Sequence, residues 1–473
     1  MSGPIKTILL VVSGFTALLV LAAVALFLFV DTEVYRSRIE AAVSEALGME
    51  AGFGRLRIGI FPGMHVTLND VHIRNMEAEI VSAEKASLGI DLLPLLFREV
   101  RIRSIVLEQP GIIIERDRDG KYNFERPDAD RAASSGLDIP KVSLTNAAFL
   151  YTDQRSGRKV EAAECNLDLR GLHLTRGNDT DYLKNLSLTG ELSCEEARIN
   201  DLAGSELKIT ADGNAGVFDL KPVTLQIFGA QGSGSIRADF SGDVPLYHIR
   251  YSLPQFQIGE FINLLSPQQV VEGTMDFSMN LSMQGKSEKG MKQTMNGQVA
   301  LHGGNLTLLG RDLDQDFARY ESTQNFNLVD VGAFFFAGPA GLALTKGYKF
   351  ASLFQGSGGS TKINRVVSDW KVEGGSALAE DVAMATEENR VALQGRLDFV
   401  NERFDDVTVA LIDAGGCVKV NQTMHGTFQE PVVERPTVLE SLTGPARELF
   451  MMGKDLITGE ECEVFYDGSV AAP

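Results

Sequence analysis

The chain has 473 residues, of which 44 are Lys or Arg and 63 are Asp or Glu, so its net charge is −19. An acidic chain lacks the basic surface that binds a nucleic-acid backbone, which excludes nucleic acid as an expected partner. Hydrophobic residues make up 44% of the chain, which is enough for a folded core and excludes wholesale disorder.

The first informative segment is an uncharged apolar run, Ile8–Val30. Such a run makes roughly 34 Å of helix, enough to cross the hydrocarbon core of a bilayer. A cleaved signal peptide is the alternative, because Ala23–Ala25 has the form of a cleavage site, but the apolar run is too long for one. Lys6 precedes the run and Asp31 follows it, so the positive-inside rule places the body on the outer side. We therefore predict a membrane anchor at residues 1–30 that carries one large body.

A single helix is predicted immediately after the anchor. Tyr35, Ile39, Val43 and Leu47 recur every four residues, and Gly48 ends the pattern. Beyond it the apolar period changes to two, with glycine-rich turns between the runs. Closely spaced strands with few helices between them are typical of antiparallel β-meanders.

Two of the alternating runs present conspicuous apolar faces. Their side chains are Val223, Leu225 and Ile227 in the first run, and Met275, Phe277, Met279, Leu281 and Met283 in the second. Successive residues of a strand point to opposite sides, so each set lies on one face. Methionine is flexible and fits irregular apolar partners such as acyl chains. The residues alone leave two interpretations open: the packed core of a β-sandwich, which is the simpler one, or the lining of an apolar groove.

Three regions depart from the strand pattern. Ile258–Leu265 predicts one or two helical turns, and Pro436–Leu456 predicts a C-terminal helix. The apolar segment Leu328–Leu344 is interrupted by Asp330 and by glycines, so we expect a buried or lid-like segment there. The resulting divisions are the anchor (1–30), a helix plus β region (31–127), a middle β region (128–270), a C-terminal β region (271–435) and a helix with a tail (436–473).

The four cysteines are widely separated, and none belongs to a C-x-x-C motif, which argues against zinc or thioredoxin-like chemistry. An even number of cysteines outside the cytoplasm suggests disulfides. Cys417 and Cys462 are the favoured pair, because the predicted C-terminal helix can fold back on the last strands. For Cys165 and Cys194, a bond between neighbouring strands and two buried thiols are equally compatible with the sequence.

Motifs for catalysis or metal binding are incomplete. Gly285-Lys286-Ser287 lacks the earlier glycine of a phosphate-binding loop, and Asp312, Asp314 and Asp316 lack the glycine and glutamate of a calcium-binding loop. The six histidines are scattered singly, and no nucleophile elbow is present. We therefore expect no metal, no cofactor and no enzymatic activity.

Residues Gly59–Phe124 contain an ordered series of short motifs. In chain order they are Ile60-Phe61-Pro62, Leu68-Asn69-Asp70-Val71, Leu92-Leu93-Pro94-Leu95-Leu96, Ile105-Val106-Leu107-Glu108-Gln109-Pro110 and Asp119-Gly120-Lys121-Tyr122-Asn123-Phe124. Together with the anchor and the helix, this order resembles the N-terminal region of the AsmA family, although Phe124 stands where the family often has Trp. Val271–Pro431 resembles the C-terminal region of the same family.

The resemblance implies a Gram-negative inner-membrane protein with a periplasmic body. The implied fold is mainly β: a transmembrane helix followed by an elongated, curled antiparallel β-sheet that forms an open groove or trough, with a few short helices. AsmA-like proteins are linked to phospholipid movement toward the outer membrane. The resemblance therefore favours groove lining over a sandwich core for the eight apolar side chains named above.

The expected function is that of a membrane-anchored periplasmic protein that binds or transfers lipid and supports phospholipid transport and outer-membrane biogenesis. Its expected partners are a phospholipid or other acyl-chain ligand, the inner membrane, and a protein of the outer membrane or periplasm. The alternative is a non-enzymatic scaffold or assembly factor for outer-membrane proteins. A membrane-tethered hydrolase is the third hypothesis.

Overall fold

The computed structural model describes residues 36–37, 40–41, 44, 49–59, 64–91, 101–124, 137–174, 182–264, 271–323, 328–331, 335, 358–434, 437–438 and 462–473. The fold is mainly β, as predicted, with a few short helices. The chain divides into unit 1, Met1–Asn200, and unit 2, Asp201–Pro473. Among the described residues no helix has the length and apolar character to cross a bilayer, and the run Ile8–Val30 lies outside them.

The described residues of unit 1 include nine strands, helical residues near the N-terminus and one short 3₁₀ helix, Tyr182–Asn185. The strands are β1 (Glu50–Gly52), β2 (Leu56–Gly59), β3 (His65–Asn75), β4 (Ala78–Ile90), β5 (Ile102–Glu108), β6 (Gly111–Arg116), β7 (Leu137–Asp153), β8 (Arg158–Leu174) and β9 (Leu186–Ile199). β1 and β2 both pair with β3, which pairs with β4. β7, β8 and β9 form a meander of long antiparallel strands.

β5 and β6 together occupy the position between β4 and β7. Both are antiparallel to β4 and parallel to β7. The prediction of an entirely antiparallel sheet is therefore wrong at β7. A parallel pair requires a crossover connection of a dozen or more residues, and residues 117–136 between β6 and β7 provide that length.

Short irregularities in the strands of unit 1 change which residues share a face. Asp70 in β3 has a φ of 52°, a left-handed conformation typical of a β-bulge. Leu68, two residues before it, belongs to a buried cluster, and Val71, one residue after it, is partly buried and packs against the same cluster. The apolar positions thus change from even to odd numbers, and the simple alternation of the sequence ends at Asp70.

Polar side chains of the N-terminal helix accept hydrogen bonds from the backbone of β1 and of Phe53, the residue after it. Of the predicted helix, Arg36, Ser37, Glu40, Ala41 and Ser44 are described and helical, whereas its predicted apolar positions lie outside the described residues. The Ser44 hydroxyl accepts a hydrogen bond from the Ala51 N–H at 2.9 Å, and the Glu40 carboxylate accepts one from the Phe53 N–H at 3.0 Å. The helix therefore covers N–H groups that an edge strand otherwise leaves to water or to another chain.

Unit 2 contains fourteen described strands. They are β10 (Leu202–Asn214), β11 (Val217–Ile227), β12 (Ala230–Asp239), β13 (Leu246–Gln257), β14 (Val271–Glu272), β15 (Thr274–Gln284), β16 (Asn296–Leu309), β17 (Ser360–Glu373), β18 (Ser376–Thr386), β19 (Arg390–Asp398), β20 (Arg403–Ile412), β21 (Val418–Thr427), β22 (Pro431–Val433) and β23 (Thr437–Val438). From β10 to β21 consecutive strands pair antiparallel, except that β14 pairs with β16, and β22 and β23 both pair with β21. This is the predicted meander.

Four described helices accompany this sheet: α1 (Ile258–Asn263), α2 (Glu288–Gln293), α3 (Leu313–Thr323) and α4 (Leu328–Val331). α1 confirms the helical turns predicted at residues 258–265. The C-terminal helix was predicted to begin at Pro436, but Thr437–Val438 form β23 beside β21, so that start is wrong. Pairing with an available strand satisfies their backbone groups there, and residues 439–456 lie outside the described residues.

The sheet of unit 2 is covered on both faces between β17 and β20. Neighbouring residues such as Val366 and Val367, or Val409 and Ala410, belong to two different buried clusters. Adjacent residues of a strand point to opposite faces, so the clusters lie on opposite sides. On the second side, small alanine side chains pack against Tyr466 near the C-terminus.

Candidate functional site

Two rows of apolar side chains cross the strands of unit 1. Residues paired directly opposite one another make up each row, so its members lie side by side on one face. The first row is Ile58, Val66, Leu88, Ile105, Val142 and Leu169, and the second is Leu56, Leu68, Ala86, Leu107, Leu144, Leu167 and Leu192. Leu56, Leu68 and Ala86 are buried, whereas all the others are only half-buried. The unit therefore has a continuous, partly exposed apolar face.

The opposite face of the same strands is largely polar. Ser143 of β7 lies opposite Asp168 of β8, which lies opposite Glu191 of β9. The Ser143 hydroxyl donates to the Asp168 carboxylate at 2.6 Å. The sheet of unit 1 is thus amphipathic, with solvent-compatible groups on one side only.

A disulfide lies within the apolar face of unit 1. Cys165 of β8 and Cys194 of β9 are directly opposite each other, and both are about 95% buried. Of the two arrangements that the sequence left open, the structure has the bond. The second disulfide joins Cys417, just before β21, to Cys462 in the C-terminal segment.

Two rows also cross unit 2, and their exposure changes along the sheet. One row starts with Ala211, Leu220, Ile236, Ile249 and Leu281. The other row starts with Ile209, Val223, Tyr251, Met279 and Val299. These residues of β10–β16 are half-buried. The rows continue into β17 with Val372 and Trp370, which are 2% and 6% exposed. Along these two rows the apolar face is therefore partly open before β17 and closed at β17.

The eight predicted lining residues fall into two groups. Val223, Leu225, Met279, Leu281 and Met283 are half-buried on the partly open face. Ile227, Met275 and Phe277 are 6%, 1% and 2% exposed, and they belong to the same buried cluster as Ile258 and Phe261 of α1. These last three are therefore core residues in this conformation, and lining remains a prediction for the first five.

Two glycines allow an aromatic ring to lie close to the partly open face. Gly234 is directly opposite Tyr251, and Gly232 is two residues before it. A Cβ atom on Gly232 would collide with the Tyr251 hydroxyl, and one on Gly234 would stand 2.9 Å from the ring. The ring therefore lies across β12, and burial raises the pKa of its hydroxyl. Glycine at these positions leaves the space that the Tyr251 ring occupies in the row between Val223 and Met279.

The apolar rows of unit 1 were not among the predicted lining residues. Their strands do alternate, for example at Val142 and Leu144 in β7, but Asn146 and Glu164 have φ values of 54° and 52° and shift the register. Those bulges interrupt the period of two within each long strand. The sequence signal that could have identified these rows is the short alternating stretch before each bulge.

A cleft of about 410 Å³ in unit 1 is lined by charged side chains. Glu50 and Arg74 lie directly opposite each other in β1 and β3, and Arg36, Asp70 and His72 complete the polar lining. Two guanidinium groups and two carboxylates give no excess of either charge, so nothing here singles out an anionic or a cationic ligand. In the described part of the chain, no group of three or more His, Cys, Asp or Glu residues is placed to hold a metal ion.

A model of the AsmA family matches residues 5–178 and 176–335. These segments include the motif-bearing stretch Gly59–Phe124, and of the second resembling stretch, Val271–Pro431, they include residues 271–335. No curated protein and no solved structure matched the chain. Because the two segments cover well over half of the sequence and contain the amphipathic strands described above, the chain belongs to the AsmA family.

Proposed function

We propose that this protein binds the acyl chains of phospholipids along its partly open apolar faces and supports phospholipid transport and outer-membrane biogenesis. Membership of the AsmA family and a large β-sheet fit a role in lipid transport or outer-membrane biogenesis. The observation that carries the proposal is the uninterrupted row of half-buried apolar residues from strand to strand, as in Ala211, Leu220, Ile236, Ile249 and Leu281.

The free energy available from covering such a row is sufficient for binding. Full burial of a Leu or Ile side chain is worth about 1.5–3 kcal/mol, so a half-buried one retains roughly 1 kcal/mol. The four Leu and Ile residues of this row therefore offer on the order of 4 kcal/mol before the cost of ordering the ligand. A binding free energy of this size favours a ligand that is held and then released, as lipid transfer requires.

The proposal needs no catalytic group, cofactor or metal. An acyl chain moves along an apolar surface by binding and release, and neither step forms or breaks a covalent bond. We accordingly propose that the protein is not an enzyme. A protein partner in the periplasm or outer membrane would receive or deliver the lipid.

The proposed location is the inner membrane, with residues 1–30 as a single-pass anchor and the body in the periplasm. Its support comes from the uncharged run Ile8–Val30, which is long enough to span a bilayer. Two disulfides, Cys165–Cys194 and Cys417–Cys462, also favour a body outside the reducing cytoplasm.

Photo-crosslinking with matched neighbouring positions tests the proposal. A diazirine residue at Leu281 or Ile249, on the apolar face, is expected to capture phospholipid in cells. The same residue at Asn280 or His248, which are exposed positions adjacent in the same strands, is expected to capture little. Equal lipid capture on both faces, or protein adducts without lipid at Leu281, would refute lipid binding here, and the second result would favour the scaffold alternative.

A further inference from the structure

The closed part of the apolar face in unit 2 is covered by a particular piece of the chain. We call this piece the stopper segment; its described residues are 313–323, 328–331 and 335, which include α3 and α4. Leu313, Phe317, Leu328, Val331 and Phe335 are each at most 2% exposed. They belong to one buried cluster with residues of β17–β21 such as Met384, Val409 and Met424. Part of the predicted lid-like segment Leu328–Leu344 is thus buried against the sheet.

Two polar side chains of the sheet bind the starts of the two stopper helices. The Thr361 hydroxyl of β17 accepts a hydrogen bond from the Leu313 N–H at 2.7 Å. The Gln422 side-chain oxygen of β21 accepts hydrogen bonds from the Leu328 N–H at 2.8 Å and the Val329 N–H at 3.3 Å. The first N–H groups of a helix have no partner within it, so the sheet supplies these partners.

Two further polar side chains of the sheet hold other points of the segment. The Ser368 hydroxyl of β17 donates to the carbonyl oxygen of Phe335 at 2.7 Å. The Thr386 hydroxyl at the end of β18 donates to the carboxylate of Asp314, which also accepts a hydrogen bond from the Asn389 amide at 2.7 Å. Each hydrogen bond ties the stopper segment to a different position on the sheet.

These four polar residues are buried, since Thr361, Ser368, Thr386 and Gln422 are between 1% and 6% exposed. A buried polar group left without a hydrogen bond costs about 1–3 kcal/mol. Acyl chains cannot accept or donate hydrogen bonds, so lipid in place of the stopper segment would leave the Gln422 side-chain oxygen without a partner. The hydroxyls of Thr361, Ser368 and Thr386 would each lose a hydrogen bond to the segment and keep only those they make outside it. By contrast, the row residues named in β10–β16 are apolar apart from Tyr251.

We propose that the stopper segment ends the lipid path in unit 2, and that Thr361, Ser368, Thr386 and Gln422 determine where it ends. Lipid then occupies the face of β10–β16, six neighbouring strand positions when β14 is left out, which extend roughly 24 Å at 4.8 Å per strand. The inference rests on the proposed lipid binding, and it adds the position at which the lipid-covered part of the apolar face ends. Unit 2 accordingly holds lipid over a fixed length and does not pass it across β17–β21 while the segment is bound.

The methionines of unit 2 allow a test in which the shape of the side chains changes little. Full-length protein carrying a diazirine analogue of methionine would be mixed with vesicles of phosphatidylethanolamine and phosphatidylglycerol, irradiated, and digested for mass spectrometry. Met279 and Met283 are half-buried on the partly open face, whereas Met384 and Met424 are buried in the same cluster as the stopper segment. We expect lipid adducts at the first pair and at least tenfold fewer at the second.

A variant that weakens the stopper should move this boundary. Ser368→Ala with Gln422→Leu removes three hydrogen bonds to the segment, so adducts at Met384 and Met424 should rise severalfold, and backbone hydrogen exchange at Leu328 should accelerate. Thr408→Val with Thr423→Val is the matched control. It removes a hydroxyl pair of β20 and β21. The neighbouring Val409 and Met424 belong to the stopper's cluster, so the pair points to the other face of the sheet, and its loss should change neither readout.

The outcomes separate the two proposals. Adducts at Met279 together with equal adducts at Met384 in the unmodified protein would overturn the stopper and leave lipid binding intact. So would a folded double variant with faster exchange at Leu328 and no new adducts. Adducts at none of the four methionines would refute lipid binding on this face and the boundary with it.

Discussion

Reduction of the disulfide between Cys417 and Cys462 should destabilise unit 2 measurably. The bond closes a loop of 45 residues and fixes the C-terminal segment, in which Tyr466 and Val470 are buried against the sheet. To isolate it, the other disulfide is removed by Cys165→Ala and Cys194→Ala. Oxidised and reduced protein of identical sequence can then be compared.

The expected magnitude follows from the loop length. A cross-link restricts the unfolded chain, and for 45 residues the loop-entropy relation gives about 4 kcal/mol of unfolding free energy. With a urea dependence of about 3 kcal/mol per M, the unfolding midpoint should fall by roughly 1.3 M on reduction. Any strain in the folded state would make the shift smaller.

The single tryptophan provides the assay. Trp370 is 6% exposed in β17, so its fluorescence reports unfolding of the sheet to which the C-terminal segment is attached. Further replacement of Cys417 and Cys462 by Ala should lower the midpoint equally and abolish the effect of reductant. A midpoint that moves by less than about 0.3 M on reduction, or free thiols in protein alkylated directly in cells, would refute the reasoning.

Three further predictions concern unit 2. Phe404→Ala removes a fully buried ring and should lower the unfolding free energy by about 3–5 kcal/mol in urea melts, whereas no change would show that the ring is not core. Gly297→Ala would place a Cβ against a backbone oxygen of β15 at a φ of 141°, so soluble yield and melting temperature should both fall; wild-type values would contradict the geometry. Burial raises the pKa of Asp381, but hydrogen bonds from Ser469 and Tyr466 outweigh it and lower that pKa below its usual value near 3.9. Their stabilisation is therefore complete above that value and lost as the pH falls through the lowered pKa; Asp381→Asn should flatten this acid dependence, and an unchanged pH profile would exclude the carboxylate as its source.

Much of the local structure followed from sequence patterns. The period of two predicted β15 and its apolar side, because alternate side chains necessarily point to opposite faces. α1 was predicted from a short apolar segment between strands, and the favoured cysteine pair is bonded. These features depend on residues that are close together in the chain or on simple geometry.

The same patterns could not predict which segments of the chain pack over each apolar face. Met275 and Met279 belong to one alternating run, yet Met275 is buried in the core and Met279 is half-buried on the partly open face. Alternation determines which side a residue faces, but not whether another segment packs on that side. That depends on contacts between residues far apart in sequence, such as Gln422 with Leu328.

The sequence by itself determined that this protein is a β-rich member of the AsmA family with alternating apolar strands after an uncharged run. Only the tertiary structure decided that β5 and β6 run parallel to β7, and that the apolar face of unit 2 closes at β17. The physical reason is that strand direction and burial arise from distant pairing and packing. A local period contains no information about either.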